Sequence, residues 1–217
     1  MIPSPLASTE HVRFHFDPLC PWAWVTSRWM VRVAAAEPVR VSWALFALSE
    51  INRENPDVSQ RQRAASGRAL QLLALAREVG GQPAIGRLYT ALGEARHTRG
   101  ESLSDDRILT AALAEAGLAT DLMTRADHEA DRLWAAVLAD HEASVTRCGA
   151  FGVPTLILDG GDGPGMFGPV VSPVPDEAES VALFHDVVRC LRRPYLFELK
   201  RDRGTTRAQV VAPTPSD

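Results

Sequence analysis

The pattern of apolar and polar positions in the first fifty residues predicts a strand, a helix and a second strand. Residues 11–16, HVRFHF, put their valine and both phenylalanines on one face, which is typical of a half-buried strand. Residues 22–36 carry apolar side chains at helical spacing, and residues 39–48, VRVSWALFAL, alternate again. Such a β-α-β unit predicts a parallel strand pair joined by a right-handed crossover. His15 falls on the opposite face of its strand, so we expect it to point away from the core and to be structural.

From about residue 57 the periodicity becomes helical and stays so for roughly ninety residues. Segments such as RALQLLALAREV, DDRILTAALAEAG and DHEADRLWAAVLADHEASV repeat apolar positions every three or four residues. Glycines at positions 80, 81, 100 and 117 separate these segments and predict helix ends. A strand pattern returns in VPTLILDG and GMFGPVV, and DEAESVALFHDVVRCLRR predicts a last helix. The order is therefore β-α-β, a helical block and β-β-α, which indicates the α/β fold class.

Composition and charge exclude some classes of partner. The 217-residue chain has a net charge of −4 and a sequence pI near 5.9, whereas a nucleic-acid-binding protein normally presents a basic face. The first ten residues, MIPSPLASTE, lack the charged and apolar regions of a secretory signal, and no apolar run approaches the ~20 residues that span a bilayer. We therefore expect a cytoplasmic protein with reduced thiols and with no nucleic-acid or membrane partner.

The three cysteines are spaced too widely for a disulfide framework or a metal cluster, so we expect no metal site. Cys20 differs from the others because it follows the first strand and precedes Pro21, at the predicted start of a helix. The amides and the positive dipole end of that helix favour a thiolate, which makes Cys20 the candidate catalytic nucleophile. A buried and inert cysteine is the alternative. Ala23 stands where a Cys-x-x-Cys pair would have its second thiol.

Several local motifs occur together in a way that resembles a known family. They are FDPLCPWAW after the first strand, FGVPT before the third, MFGPV after it, and the segments LYTALGEARH and FELKR. As a set they resemble the DsbA-like branch of the thioredoxin fold, in particular the mycothiol-dependent nitroreductases and the related 2-hydroxychromene-2-carboxylate isomerases. The resemblance covers roughly residues 11–203 and departs at one point, because the family's second active-site cysteine is Ala23 here.

The resemblance implies that a thioredoxin-like fold is interrupted by a large helical insertion. Residues 11–56 and 150–203 would form the thioredoxin-like domain, and residues 57–149 the helical insertion. Residues 1–10 and 204–217 are expected to be flexible termini. The insertion is expected to cover the thiol and shape the substrate pocket. Because proteins of this architecture often dimerise, a homodimer is also expected.

The resemblance further implies substrate-binding residues around Cys20. The Val153–Pro154 bond is expected to be cis and to lie against the thiol, where the backbone of Val153 can pair with a bound molecule. Pro21 begins the helix beside the thiol, and Trp22 offers an aromatic wall to an apolar or conjugated ligand.

Two polar residues match positions of the same branch. His97, in GEARHTRG, can protonate a carbanion or position a carboxylate, and a solvent-facing histidine is the alternative. Asn52 follows the second strand and can donate a hydrogen bond to a substrate carbonyl, with a loop cap as the alternative. Cys148 lies six residues before Pro154 and is a candidate resolving thiol, although a cysteine at the end of an amphipathic helix is more often a core side chain.

Three functions remain open at this point. In the first, Cys20 adds reversibly to a conjugated enone, polyene or acyl double bond and so isomerises it, with no cofactor required. In the second, a monothiol oxidoreductase uses mycothiol or another low-molecular-weight thiol to reduce disulfides or nitro compounds. The third is a binding protein without redox activity. Since Ala23 cannot resolve a mixed disulfide, we favour the isomerase, acting on a small conjugated substrate that an acyl carrier protein can deliver. An alanine introduced to trap an intermediate would leave the same sequence.

Overall fold

The computed structural model describes residues 9–54, 60–202 and 208, without the side chains of residues 61–63. The strands of this part of the chain are β1 (Glu10–Phe16), β2 (Val39–Leu45), β3 (Thr155–Ile157) and β4 (Gly165–Phe167). They form one sheet in the spatial order β2-β1-β3-β4. β1 pairs in parallel with β2 and antiparallel with β3, and β3 pairs antiparallel with β4.

The N-terminal part of the sheet is the predicted β-α-β unit, in which α1 (Pro21–Ala36) connects β1 to β2. One boundary differs from the prediction, because Glu10 belongs to β1 and not to a flexible terminus. Its backbone N–H donates to Pro38 O at 3.0 Å, and its carboxylate lies 2.9 Å from the Arg192 guanidinium. The buried charge is thus paired, which lets an acidic residue begin the strand.

A helical region follows β2. Its helices are α2 (Leu48–Ile51), α3 (Gln60–Gly93), α4 (Asp106–Glu115), α5 (Leu122–His128) and α6 (Ala130–Cys148). Gly80 and Gly81 have non-helical backbone angles and divide α3 into two helical halves. Gly100 and Gly117 have positive φ angles just beyond helical turns, as glycines that end helices usually do. The predicted helix ends at these four glycines therefore correspond to breaks in the helical backbone.

The C-terminal part of the fold is the predicted β-β-α unit. A short 3₁₀ turn, Asp159–Gly161, lies between β3 and β4, and α7 (Glu177–Leu191) follows them. Asp176 caps α7 by accepting the Glu179 N–H at 2.9 Å. The predicted α/β class and order of elements are confirmed.

The sheet is buried on both faces. Phe14 and Phe16 are fully buried on one side of β1, and His15, which points to the other side, is fully buried as well. Asp140 of α6 accepts the Leu45 N–H at 2.9 Å, so α6 lies against this second face. Burial lowers the pKa of His15 to about 4. The prediction that His15 points away from the core is wrong, because alternation assigns a side chain to a face without revealing that a helix covers that face.

Helices α1 and α3 share the hydrophobic core with the sheet. At the end of α3, Gly93 meets the indole of Trp24 so closely that a Cβ atom at position 93 would lie 2.1 Å from the ring. Trp24 is 1% exposed and Trp29 is fully buried, so α1 contributes two large aromatic side chains to this core. Burying side chains of this size contributes a large share of the hydrophobic stabilisation of a domain.

The division into a thioredoxin-like domain and a helical insertion stays a prediction. Residues 1–8, 55–59, 203–207 and 209–217, which include most of both predicted termini, lie outside the described residues. Ala208, within the predicted C-terminal tail, packs against the core. Among the described residues, no helix is both long enough and apolar enough to cross a membrane.

Candidate functional site

Cys20 is the N-cap residue of α1. Its backbone is extended, with φ −81° and ψ 112°, and its Sγ accepts the Ala23 N–H at 3.4 Å. Pro21 occupies the first turn, where the missing N–H of proline is no loss. The side chain is buried, with 7% of the residue exposed. A sulfur held over the first amides of a sixteen-residue helix is in the position that favours a thiolate.

The Val153 carbonyl faces this sulfur. The Cys20 thiol donates to Val153 O at 3.5 Å, and the Val153–Pro154 peptide bond is cis, as the resemblance implies. Pro154 O in turn accepts the Gly168 N–H at 2.8 Å, which ties the loop to the end of β4. When the thiol ionises it has no proton left to donate, so Val153 O becomes available to a donor on a bound molecule.

Asp17 organises the loop that carries Cys20, and the sequence analysis missed it. The carboxylate is fully buried and accepts three hydrogen bonds, from Leu19 N at 2.9 Å, Leu48 N at 3.0 Å and Ser66 Oγ at 2.8 Å. Burial raises the pKa of Asp17, and these three donors oppose that effect. One side chain therefore joins the thiol loop to α2 and α3. The available signal was an acidic residue directly after a buried strand.

His97 contacts the same loop. Its Nε2 lies 2.9 Å from Pro18 O, and its ring stacks on Trp24 with centroids 6.0 Å apart. Because a carbonyl oxygen can only accept, Nε2 carries the proton of the neutral ring. Burial lowers the pKa of His97 to about 4, and the Pro18 hydrogen bond partly offsets this. A neutral imidazole bound in this way fits a role in positioning the loop better than the predicted protonation of a carbanion.

Asn52 caps the end of a helix, whereas Trp22 packs against the core. Asn52 follows α2, and its Nδ2 donates to Leu48 O at 2.8 Å, which is the loop cap weighed as the alternative for this residue. Trp22 is partly buried against the core, and the adjacent Pro21 is exposed. Pro21 and Trp22, which directly follow Cys20, therefore both present some surface to solvent. The roles of these residues in substrate binding stay predictions.

The structure also contains grooves away from the thiol. One of about 520 Å³ lies between α2, α3 and α6, and its lining includes Ser49, Gly67 and Trp134. Neither Cys20 nor Asn52 is part of that lining. Among the described residues, no group of three or more His, Cys, Asp or Glu side chains is placed to hold a metal ion.

Cys148 is separated from Cys20 by the length of a strand. It ends α6, and a Cβ atom at Gly165 would lie 3.2 Å from its sulfur. Gly165 pairs with Ile157, four residues beyond Val153, which corresponds to about 13 Å along an extended chain. All three cysteines lie in the described residues, and none forms a disulfide. This arrangement does not bring Cys148 to the thiol site as a resolving group.

Comparison with known proteins agrees with this architecture. A family model described as "Rv2466c-like: Mycothiol-dependent nitroreductase Rv2466c" matches residues 19–201. The uncharacterized protein Rv2286c of Mycobacterium tuberculosis is 31% identical over 205 residues, which are 93% of this chain and 86% of that protein.

Solved structures with low sequence identity share the fold. A probable DsbA oxidoreductase from Streptomyces coelicolor superposes with a TM-score of 0.59 at 21% identity, covering 94% of this chain and all of that one. The cytosolic disulfide reductase DsbM from Pseudomonas aeruginosa gives 0.58 at 17%, covering 82% and 98% of the two chains. A 2-hydroxychromene-2-carboxylate isomerase gives 0.57 at 13%, covering 82% and 94%. The predicted DsbA-like thioredoxin fold is confirmed, and this chain belongs to the Rv2466c-like family, which is named after the mycothiol-dependent nitroreductase Rv2466c.

Proposed function

We propose that this protein is an enzyme in which Cys20 is the covalent nucleophile, and that it isomerises a conjugated carbon–carbon double bond between cis and trans. The observation that carries the proposal is the pairing of Cys20 with the backbone amide of Ala23, at the position where a dithiol enzyme would have its second sulfur. An amide stabilises a thiolate but cannot attack it. The site therefore suits a nucleophile that adds and leaves again without a change in oxidation state.

The reaction needs no oxidant or reductant. The Cys20 thiolate adds to the β carbon of a substituted double bond conjugated to a carbonyl group. The C–S bond forms, the π bond breaks, and its electron pair moves onto the carbonyl oxygen. Rotation about the resulting single bond follows, after which the electron pair restores the double bond and the C–S bond breaks. The Ala23 N–H and the start of α1 stabilise the departing thiolate.

The residues around the thiol have separate roles in this proposal. Val153 O, freed when Cys20 ionises, orients a donor on the substrate, and Pro154 keeps that carbonyl against the thiol. Pro21 and Trp22 contact the conjugated chain. Asn52 and His97 bind or position polar groups of the substrate, His97 through the loop that it holds.

Membership in the Rv2466c-like family favours monothiol redox chemistry as a second candidate. Here Cys20 attacks a disulfide, the S–S bond breaks, and one substrate thiol leaves. A low-molecular-weight thiol such as mycothiol then attacks the mixed disulfide and releases the Cys20 thiolate. The small thiol supplies the electrons that a second active-site cysteine would supply in a dithiol enzyme, because Ala23 has no thiol. In the isomerase reading mycothiol is not required.

Partners and compartment stay predictions. A nucleophilic cysteine must remain reduced to act, so we continue to expect a cytoplasmic protein. We also still expect a small conjugated substrate, with delivery on an acyl carrier protein as one route, and a homodimer.

The two chemistries separate in one experiment. The protein is incubated with a cis-configured conjugated dienone, and product geometry is followed by liquid chromatography and mass. We expect a trans product of unchanged mass, formed without added thiol and lost in Cys20→Ser. An Ala23→Cys variant should lose this activity after mild oxidation and regain it after reduction, because the introduced thiol captures Cys20 in a disulfide.

The opposite result is equally clear. If no isomer forms, and oxidised mycothiol instead gives a stoichiometric adduct on Cys20 that reduced mycothiol removes, the isomerase proposal is wrong and monothiol redox chemistry takes its place.

A further inference from the structure

A stacked pair of phenylalanines involves the loop whose Val153 carbonyl faces the candidate nucleophile. Phe151 and Phe167 have ring centroids 4.6 Å apart and an interplanar angle of 29°. Phe151 stands two residues before Val153, whose carbonyl meets the Cys20 sulfur at 3.5 Å. Two residues span at most about 7 Å of chain. Phe151 therefore belongs to the segment whose Val153 carbonyl accepts a hydrogen bond from the thiol.

The two rings are held by the loop around the cis peptide bond. Phe167 packs over Gly152, where a Cβ atom would lie 3.4 Å from the ring. Gly152 O accepts from Thr155 Oγ1 at 2.8 Å. Phe167 immediately precedes Gly168, whose N–H donates to Pro154 O at 2.8 Å. Hydrogen bonds at Gly152 and at Gly168 thus hold the backbone next to both phenylalanines.

Phe151 remains 65% exposed in spite of this stacking. Phe167 is partly buried and supports it from below. An exposed aromatic ring on a fixed support can stack a second planar group without a large loss of side-chain entropy. A small planar ligand fits the pair in particular because Phe151 stands two residues from Val153, whose carbonyl meets the Cys20 sulfur.

We propose that Phe151 and Phe167 form a binding subsite for the planar aromatic or conjugated part of the substrate whose electrophilic carbon reacts with Cys20. This inference rests on the proposed function, since it takes Cys20 to be the nucleophile. Phe151 provides the stacking surface and Phe167 fixes its orientation. The subsite selects substrates by their π surface, while the thiol acts on the adjoining double bond.

The test compares two electrophiles that share one reactive group. Phenyl vinyl ketone and methyl vinyl ketone both present a terminal enone, and they differ in the planar ring. The second-order rate constant for modification of Cys20 by each is measured by peptide mass spectrometry, which separates Cys20 from the other cysteines. We expect Phe151→Ala to lower the phenyl-to-methyl ratio by fivefold to tenfold and Phe151→Trp to preserve it. Phe197→Ala, which removes a ring that is 84% exposed in the segment after α7, is the matched control and should change the ratio less than twofold.

Each alternative outcome has one meaning. An unchanged ratio in Phe151→Ala, with Cys20 still reactive toward methyl vinyl ketone, overturns the subsite and leaves the proposed function intact. A Cys20 that reacts with neither enone overturns the proposed function and the subsite with it. An unchanged ratio together with loss of a dimer in Phe151→Ala, measured by sedimentation, assigns the ring pair to contact with a second copy of the chain and also overturns the subsite.

Discussion

Cys20 stands at the start of helix α1, whereas Cys148 stands at the end of helix α6. The two sulfurs therefore have different hydrogen-bond partners. Cys20 precedes the first turn of α1, and its sulfur accepts the Ala23 N–H at 3.4 Å. Cys148 is the last residue of α6, and its thiol donates to Ser144 O at 3.3 Å. Burial raises the pKa of Cys148.

The two ends of a helix offer a sulfur different hydrogen-bond partners. Cys20 is the more deeply buried of the two, and its sulfur accepts an amide N–H from the first turn of its own helix. The Ala150 N–H, which acts to lower the pKa of Cys148, lies beyond the end of α6 and is outweighed by burial. Amides at a helix start stabilise an anionic sulfur, whereas carbonyls at a helix end accept the S–H proton and stabilise the neutral thiol. A cysteine is therefore suited to act as a nucleophile at the start of α1 and as a packing side chain at the end of α6.

Exchange of each cysteine for serine should have the largest effect. Cys20→Ser should lower the isomerisation rate by about a thousandfold or more, because the nucleophile is lost. Cys148→Ser should leave the rate within about twofold, since its sulfur contributes nothing to the site. Turnover of the dienone by both variants checks this. A comparable loss in Cys148→Ser would contradict the comparison and make Cys148 part of the reaction.

Removal of Asp17 tests whether the surroundings of Cys20 depend on a buried acceptor. Asp17→Ala should lower the free energy of unfolding by about 3 kcal/mol, because two backbone amides and a serine hydroxyl lose their partner. Urea denaturation measures the change. Asp186→Ala is the control: its carboxylate is 66% exposed and paired with Arg189, so we expect a change below about 1 kcal/mol. Equal effects of the two substitutions would show that Asp17 is not a structural centre.

The pH dependence of alkylation gives the smallest effect and sharpens the comparison. Since burial raises the pKa of Cys148, its alkylation by iodoacetamide should keep rising from pH 7 to 9. Cys20 is alkylated in the same samples and is followed separately from Cys148. Rate constants for each cysteine come from peptide mass spectrometry. A plateau for Cys148 below pH 8.5 would contradict the expected direction of its pKa.

Local patterns in the sequence predicted much of the fold. The alternation in residues 11–16 and 39–48 fixed which side chains of β1 and β2 share a face, and the structure confirms the parallel pair. The position of Cys20 between a strand and a proline likewise predicted its place at the start of α1. These features depend on neighbours within a few residues, which a sequence displays directly.

Features that depend on distant contacts were not predictable in this way. Asp17 was missed because two of its partners, Leu48 and Ser66, lie 31 and 49 residues away. The burial of His15 depends on α6, more than a hundred residues later. His97 reaches the carbonyl of a residue 79 positions earlier in the chain. The sequence indicated that these residues are polar, but only the packing of helices on the sheet determines what each one meets.

The hydrogen bonds of Asp17 also bear on how such a protein can be altered or can evolve. One carboxylate joins the loop of Cys20 to α2 and α3. Exchange of the helical segment for another would therefore leave that carboxylate without partners, unless the new segment supplies them. A graft of this segment from a relative would have to bring its own match for Ser66. New specificity is therefore more accessible through substitution of exposed residues such as Pro21 than through replacement of the whole helical segment.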